Sequence, residues 1–101
     1  MLNQIVMVGR LKSINFRGYT DGTSKATIKL DVQRPTKDEN GEYGSDLITI
    51  TLKDNFATQV KEYCTTGDLI GIKGRLAIEN NKMVINTERI TFLSSKDIKH
   101  E

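Results

Sequence analysis

The chain of 101 residues has the length of one modest domain, and its 37% hydrophobic and 28% charged residues are typical of a globular protein. Its 15 basic and 13 acidic residues give a net charge of +2, which excludes a uniformly basic surface, so any polyanion site must come from local clusters. No segment has the pattern of a membrane span or a signal peptide, and the single cysteine excludes an internal disulfide, so we expect a cytoplasmic protein.

The N-terminal third of the chain favours two strands. Leu2 to Leu11 is apolar on both faces in its first half, and Gly9 allows a bend in this first strand. The polar stretch 13–22 is expected to be a loop that ends in the hairpin signal Asp21-Gly22. Between Ser24 and Val32 apolar and polar residues alternate, which predicts a second strand with one buried face.

The middle of the chain predicts a long loop, a third strand and a helix. Gln33 to Ser45 holds the only proline and no apolar pattern, whereas Asp46 to Lys53 returns to a period of two. A short amphipathic helix follows, with apolar residues at Phe56, Val60, Tyr63 and Cys64. Asp54 or Asn55 is expected to cap it and Gly67 to end it, with Cys64 as a small apolar filler.

Two further strands complete the predicted domain. Leu69 to Glu79 contains Gly71 and Gly74, which indicate a bend, a bulge or a close backbone approach of the kind that a small barrel requires. Asn80-Asn81 predicts a turn, and the last strand runs from Met83 to Leu93 with an interrupted alternation that indicates a bulge. The domain is therefore expected to cover residues 1–93, followed by a flexible polar tail at 94–101.

The order of three strands, one helix and two strands predicts an all-β fold. It matches the five-stranded Greek-key barrel of the oligonucleotide/oligosaccharide-binding (OB) fold, with the short helix between strands 3 and 4. A small barrel of the SH3 type is the alternative, but it leaves the amphipathic helix without a place.

The inventory of reactive side chains does not favour an enzyme. His100 is the only histidine, and one histidine with one cysteine can supply neither a catalytic triad nor a structural zinc site. No phosphate-binding glycine loop occurs, and we expect neither a cofactor nor a metal. Catalysis by carboxylates would need a deep cleft lined by the acidic residues of the long loop, Asp38, Glu39 or Glu42, which more simply form a solvated surface.

Basic residues on the outer strand faces, with residues of the loops, form a candidate surface for nucleic acid. The candidates are Arg17, Tyr19, Lys25, Lys29, Arg34, Lys37, Tyr43, Lys53, Lys73, Arg75 and Lys82. Alternating lysines are also typical of solvated strands that resist edge pairing. Phe56, Tyr63 and Phe92 are expected in the core or an interface, whereas Phe16 fits a loop or the end of the barrel.

Three segments resemble the bacterial single-stranded DNA-binding protein family. They are the opening strand, which ends in Val8-Gly9-Arg10-Leu11, the stretch Gly67-Asp68-x-Ile70-x-Ile72-x-Gly74-Arg75-Leu76, and the loop that begins at Arg34-Pro35. The resemblance implies an OB-fold that binds single-stranded DNA without sequence preference, in replication, recombination or repair. It also implies a homo-oligomer, dimer or tetramer, formed through the first strand, with replication or recombination proteins as possible partners.

The chain also departs from the family pattern. It has no tryptophan, and the positions that match the family's stacking aromatics hold Arg34, Leu47 and Lys53, so we expect weaker and more salt-sensitive binding. The family's acidic C-terminal tail has no match in Lys99-His100-Glu101. The primosomal replication protein N group is also similar, around Lys82-Met83-Val84, which keeps open an OB-fold protein-interaction module as the alternative function.

Overall fold

The computed structural model describes residues 1–93 and contains one antiparallel sheet with a single helix in that range. The elements are β1 (Ile5–Gly18), β2 (Ser24–Lys37), β3 (Tyr43–Lys53), α1 (Asn55–Tyr63), β4 (Leu69–Glu79) and β5 (Lys82–Phe92). The strand order is β3-β2-β1-β4-β5. Five antiparallel strands with the helix between β3 and β4 confirm the predicted fold, and the predicted tail lies outside the described residues.

The long strand β1 joins the two halves of the sheet. Its residues 5–10 pair with β4 and its residues 10–18 pair with β2, with a register shift between Leu11 and Ser13. At this shift the Leu11 N–H donates to the Asp68 carbonyl at 2.9 Å, and the Gly67 N–H donates to the Leu11 carbonyl at 2.8 Å. A bulge of this kind increases strand bending, and β3 and β5 come within 8 Å between Cα atoms, which curls the sheet into a barrel.

The core lies inside the barrel and under the helix. Ala57 and Val60 of α1 and Cys64 beyond its end are buried there. The strand residues of the core are Leu11, Ala26, Ile28, Leu30, Ile50, Leu52, Ile70 and Ile72. These positions confirm the inward faces that the alternation predicts, and Cys64 is the buried filler that the helix pattern predicts.

The stretch 13–22 is mostly strand, which corrects the expected polar loop. Ile14 and Phe16 pack against the core, while Asn15 and Arg17 are exposed on the outer face of β1. The polar outer residues hide the period of two, because only two inward residues carry the apolar signal. The turn itself is short, with Gly22 at a φ of 90° as the predicted hairpin requires.

The expected long loop between the second and third strands is a β-hairpin with a short tip. β2 continues through Pro35 to Lys37, β3 begins at Tyr43, and Lys37 pairs with Tyr43 across the hairpin. At the tip, the Asp38 carboxylate accepts hydrogen bonds from the backbone N–H groups of Asn40 and Glu42 at 2.8 and 3.0 Å. This hairpin projects beyond the core, so nearly all its side chains are exposed and no apolar pattern predicts it.

The helix ends differ from the expected caps. Asp54 precedes α1 but makes no side-chain cap; its carboxylate instead accepts a hydrogen bond from the Ser24 N–H at 3.2 Å. The helix ends at Tyr63, and Gly67 lies in the following turn at a φ of 97°. Tyr63 is 59% exposed rather than in the core, and its ring makes a T-shaped contact with the ring of Phe92, with centroids 5.9 Å apart.

The two mid-strand glycines of β4 have different environments. A Cβ at Gly74 would overlap the carbonyl oxygen of Asn86, so the predicted close backbone approach is confirmed there. A Cβ at Gly71 would lie 3.6 Å from its nearest neighbours, an ordinary contact, so Gly71 is not required by packing. The predicted bulge in the last strand is confirmed opposite Gly74, where Glu88 is skipped by the pairing.

Candidate nucleic-acid interface

Three basic residues form a row across the outer face of β1, β2 and β3. Lys25 is the direct cross-strand partner of Arg17 on one side and of Lys53 on the other. All three side chains are exposed, and directly opposed residues of antiparallel strands have Cβ atoms about 5 Å apart. We call Arg17, Lys25 and Lys53 the cationic row. The sequence predicts outer strand faces for Lys25 and Lys53 and a loop for Arg17, and the strand pairing places all three side by side.

A groove that we call the β2–β3 cleft surrounds the cationic row. It consists of adjoining depressions that share Lys25 or Lys53, flanked by the β1–β2 turn on one side and the start of β5 on the other. Tyr19 lines it beside the β1–β2 turn, and Lys82 and Met83 line it beside β5. The cleft therefore brings together residues from both ends of the sequence around the row.

The cationic row has no acidic partner. Among residues 1–93, ion pairs within 4.0 Å join Lys12 to Asp31, Arg34 to Asp46 and Arg75 to Glu88, and none involves the row. Two of the carboxylates that line the cleft are engaged elsewhere, because Asp21 accepts hydrogen bonds from the N–H and hydroxyl of Thr23 and Asp54 accepts one from the Ser24 N–H. Glu79 lines the cleft on its β5 side. Both hydrogen bonds from Thr23 lower the pKa of Asp21, and the bond from the hydroxyl has the larger effect. Three unneutralised cations side by side favour an anionic ligand.

Two other predicted residues extend this surface. Arg75 lines a further depression with Lys53, where its guanidinium lies 3.7 Å from the Glu88 carboxylate. Lys29 is exposed on the same outer face of β2 and lies opposite Thr49. Together with Lys82, these residues surround the cationic row with positive charge from three elements.

The β2–β3 hairpin carries a second group of predicted residues, at the far end of β2 from Lys25. Arg34 donates two hydrogen bonds to the Asp46 carboxylate, at 2.7 and 3.2 Å. These bonds hold the pKa of Asp46 below its ordinary value and raise the pKa of Arg34. The Lys37 ammonium lies 5.6 Å from the centre of the exposed Tyr43 ring. Arg34 is therefore partly neutralised, unlike the row.

Lys73 stands apart from the other predicted residues. It pairs with Val6 of β1 and Arg89 of β5, on the outer face of the other half of the sheet. Its neighbours there include the exposed apolar side chains of Val6 and Val8, which are 69% and 46% exposed. The alternation along β4 predicts only which face Lys73 lies on. It cannot reveal this separation, because Lys73 and the cationic row lie in different halves of the sheet, which β1 joins.

Several residues that line the cleft were not predicted from the sequence. Asn15 lines the cleft beside Arg17, but the stretch that contains it was expected to be a loop. Met83 and Asn86 line its β5 side, although an apolar residue and an amide in a strand carry no signal for binding. Phe16 belongs to the core, with the Lys61 ammonium 4.3 Å from the centre of its ring.

Within residues 1–93, no three histidine, cysteine, aspartate or glutamate side chains are grouped so as to hold a metal ion. No helix in the same range has the length and apolarity needed to cross a membrane.

Comparison with known proteins agrees with this fold. The chain is 36% identical over 77 residues to the single-stranded DNA-binding protein B of Bacillus subtilis, which covers 75% of this chain and 68% of that protein. The chain spans about half to two thirds of the length of the curated relatives it matches.

Two solved structures share the fold. A deletion mutant of the single-stranded DNA-binding protein from Thermus aquaticus matches with a TM-score of 0.69 at 23% identity, over 94% of this chain and 52% of that one. A small single-stranded DNA-binding protein from Streptomyces coelicolor matches with a TM-score of 0.63 at 19% identity, over 91% and 94% of the two chains. The model of the single-strand binding protein family matches residues 2–98, so the chain belongs to that family.

Proposed function

We propose that this chain binds single-stranded DNA with little sequence preference along the β2–β3 cleft, in replication, recombination or repair. The observation that carries the proposal is the cationic row of Arg17, Lys25 and Lys53, which lies in an open groove and has no acidic partner within 4.0 Å among residues 1–93. Family membership and the names of the relatives support the same ligand. The role is binding rather than catalysis, requires no cofactor and belongs in the cytoplasm, where replication and recombination proteins are possible partners.

The composition of the cleft explains why binding should tolerate sequence. The basic residues that line it are lysine and arginine, which neutralise phosphates whatever base is attached. Affinity should therefore fall steeply as salt rises, because each neutralised phosphate releases condensed counterions.

The direct test is a fluorescence anisotropy titration with an oligo-dT of about 30 nucleotides, which exceeds the site of one OB-fold. We expect binding at about 50 mM salt and a large loss at about 200 mM. The variant Lys25→Glu/Lys53→Glu should lose most of its affinity, whereas Lys73→Glu/Arg89→Glu, which changes the net charge equally on the other half of the sheet, should retain it. No binding of the wild-type chain at low salt would contradict the proposal.

We further propose that two copies associate through the N-terminal half of β1. Residues 5–9 pair with β4 on one side only, and the pairing of β1 with β2 begins at Arg10. The exposed Val6 and Val8 lie on the outer face of this segment. A second copy that adds its own β1 there would satisfy the open edge and cover both valines.

The oligomer proposal is tested by the molar mass from light scattering. The wild-type chain should have the mass of a dimer or tetramer, and Val6→Lys should shift it towards the monomer. Leu47→Lys places the same charge at another exposed apolar residue, on β3, and should leave the mass unchanged. A wild-type monomer at micromolar concentration would contradict the proposal.

The second candidate function is a protein-interaction module. One observation favours it: Leu76, Ile78 and Met83 are exposed together at the end of the β4–β5 hairpin, with Ile78 paired to Met83. Such a patch suits a protein partner better than a phosphate. This function would be preferred if oligo-dT failed to bind at low salt while Ile78→Lys abolished association with a replication protein.

A further inference from the structure

We propose that the β2–β3 cleft holds single-stranded DNA by its phosphates and stacks a single base, on Tyr19. The inference rests on the proposed function and specifies its mode of recognition. It assigns the affinity to the sugar–phosphate chain and limits the contribution of the bases to one position. The ligand class is therefore a flexible single-stranded phosphodiester chain, with or without bases.

Few aromatic rings of this protein are available to stack on a base. The chain has three tyrosines, three phenylalanines and no tryptophan, and all six rings lie in residues 1–93. Phe16, Phe56 and Phe92 are partly buried against the core, although Phe56 also lines the depression that Lys53 shares with Arg75, so the exposed tyrosines are the better platforms. A base can stack only on a ring with an open face, so the cleft cannot supply the succession of stacks that sequence-tolerant OB-folds use.

Two of the three tyrosines are unsuited to stacking in the cleft. Tyr63 lies on the apolar stripe of α1 and its ring makes a T-shaped contact with Phe92. It is not among the residues that line the cleft. Tyr43 lies on the β2–β3 hairpin, where the Lys37 ammonium is 5.6 Å from the ring centre. Tyr43 lines a different depression, together with Arg10 and Gln33, and neither tyrosine is among the residues that line the cleft.

Tyr19 has the position and the support that a stacking platform needs. It is 45% exposed and lines two adjoining depressions of the cleft, both of which contain Lys25. Its backbone is held at both ends of the β1–β2 turn: its N–H donates to the Thr23 carbonyl at 2.9 Å, and its carbonyl accepts from the Gly22 N–H at 3.2 Å. A ring on a fixed backbone loses little freedom when a base stacks on it.

The cationic row lies beside Tyr19, where it can contact the phosphates next to the stacked base. Arg17 is two residues before Tyr19 and directly opposite Lys25, so the phosphates next to a base stacked on Tyr19 lie within reach of both cations. Lys53 continues the row on β3. The next cross-strand row on the same outer face consists of Asn15, Thr27 and Thr51, which are too short and polar to form an apolar surface for further bases.

The test compares oligo-dT with an abasic oligomer of the same length and phosphate number, in the wild-type chain and in Tyr19→Ala. One stacked base is worth a factor of about 5 to 150 in Kd. We expect the wild-type chain to prefer oligo-dT by a factor in this range and Tyr19→Ala to bind both oligomers equally. Tyr19→Phe should restore the preference, and Tyr43→Ala should keep it.

The outcomes separate this inference from the proposed function. If Tyr19→Ala still prefers oligo-dT as strongly as the wild-type chain does, other bases are contacted and the inference is wrong, although DNA binding stands. Equal binding of both oligomers by the wild-type chain would mean that no base is stacked, and this result would also overturn the inference. If neither oligomer binds at low salt, the proposed function itself fails.

Discussion

Lys25 and Lys53 face each other directly across β2 and β3, with no acidic side chain within 4.0 Å of either in residues 1–93. Like charges at directly opposed positions destabilise a sheet, so this arrangement opposes folding while it favours an anionic ligand. We therefore expect Lys53→Gln to raise the free energy of unfolding by about 0.2–1 kcal/mol and to make the salt dependence of oligo-dT binding shallower by about 0.7 in the log–log slope. Urea denaturation and anisotropy titrations measure the two effects.

Lys29→Gln is the matched control for this prediction. Lys29 lies on the same face of β2 but opposite Thr49, so its removal relieves no repulsion between directly opposed charges. We expect no gain in the free energy of unfolding. A gain equal to that of Lys53→Gln would show that general surface charge, rather than the facing pair, opposes folding.

The Arg34–Asp46 pair makes a prediction with the opposite sign. The Arg34 guanidinium donates two hydrogen bonds to the Asp46 carboxylate, so Asp46→Asn should release it for phosphate and increase both the affinity for oligo-dT and its salt dependence. Arg34→Gln/Asp46→Asn removes the freed charge and should cancel the gain. Unchanged affinity in Asp46→Asn would place the β2–β3 hairpin outside the DNA path.

The same pair predicts a pH effect. The pKa of Asp46 is lowered, mainly by the hydrogen bonds from Arg34, so its folded pKa lies below the unfolded one. Its contribution to stability is therefore present above its ordinary pKa and is lost as the pH falls through the lowered value. NMR titration of the Asp46 carboxyl carbon should show the lowered pKa, and Arg34→Gln should return that pKa towards the ordinary value of 3.8.

Gly74 and Gly71 form a natural comparison within β4. Gly74→Ala should lower the free energy of unfolding by about 1–3 kcal/mol, because its Cβ would overlap the Asn86 carbonyl and force the strands apart. Gly71→Ala meets only ordinary contacts and should change stability by less than about 0.5 kcal/mol. Equal effects in urea denaturation would mean that strand propensity, rather than the close approach, decides the cost.

Cys64 should react slowly with alkylating reagents in the folded protein. Burial, with a smaller effect from the charge of Asp68, raises the pKa of its thiol from 9.0 to about 11. At pH 8 the reactive thiolate is then about 100-fold rarer than in the unfolded chain. Because the folded pKa is raised, the thiol supports folding below about pH 9 and this support is lost as the pH rises towards 11.

The reaction of Cys64 with iodoacetamide, followed by mass spectrometry, measures this protection. We expect the rate in urea to exceed the native rate by at least the factor of about 100 that the pKa implies. Similar rates under the two conditions would mean that the C-terminal end of α1 opens readily.

The sequence predicts the parts of the fold where one strand face is buried. Ser24 to Val32 and Asp46 to Lys53 alternate because their inner residues lie in the core, and both predictions are confirmed. The β2–β3 hairpin was missed because it extends beyond the core, so no burial selects a pattern there. Asp54 shows a different limit: its carboxylate bonds to the Ser24 N–H, a partner distant in sequence, instead of the helix it precedes.

The candidate site depends on strand pairing more than on local pattern. Alternation places Lys25, Lys53 and Lys73 on outer faces alike, which is why they were grouped as one surface. The register of β1, β2 and β3 brings Lys25 and Lys53 together, whereas the pairing of β4 with Val6 places Lys73 with an apolar face. A residue's face follows from its neighbours in sequence, but its partners follow from contacts that no single strand encodes.

The backbone hydrogen bonds of Leu11 join β1 to the turn between α1 and β4. Its N–H and carbonyl, freed from the β1–β2 ladder at the bulge, join the turn between α1 and β4 through Asp68 and Gly67. Because β1 also pairs with both β2 and β4, separating this turn from Leu11 disrupts the one strand that belongs to both halves of the barrel. The amide protons of Leu11 and Gly67 should therefore exchange with solvent only through global unfolding, as a single cooperative unit.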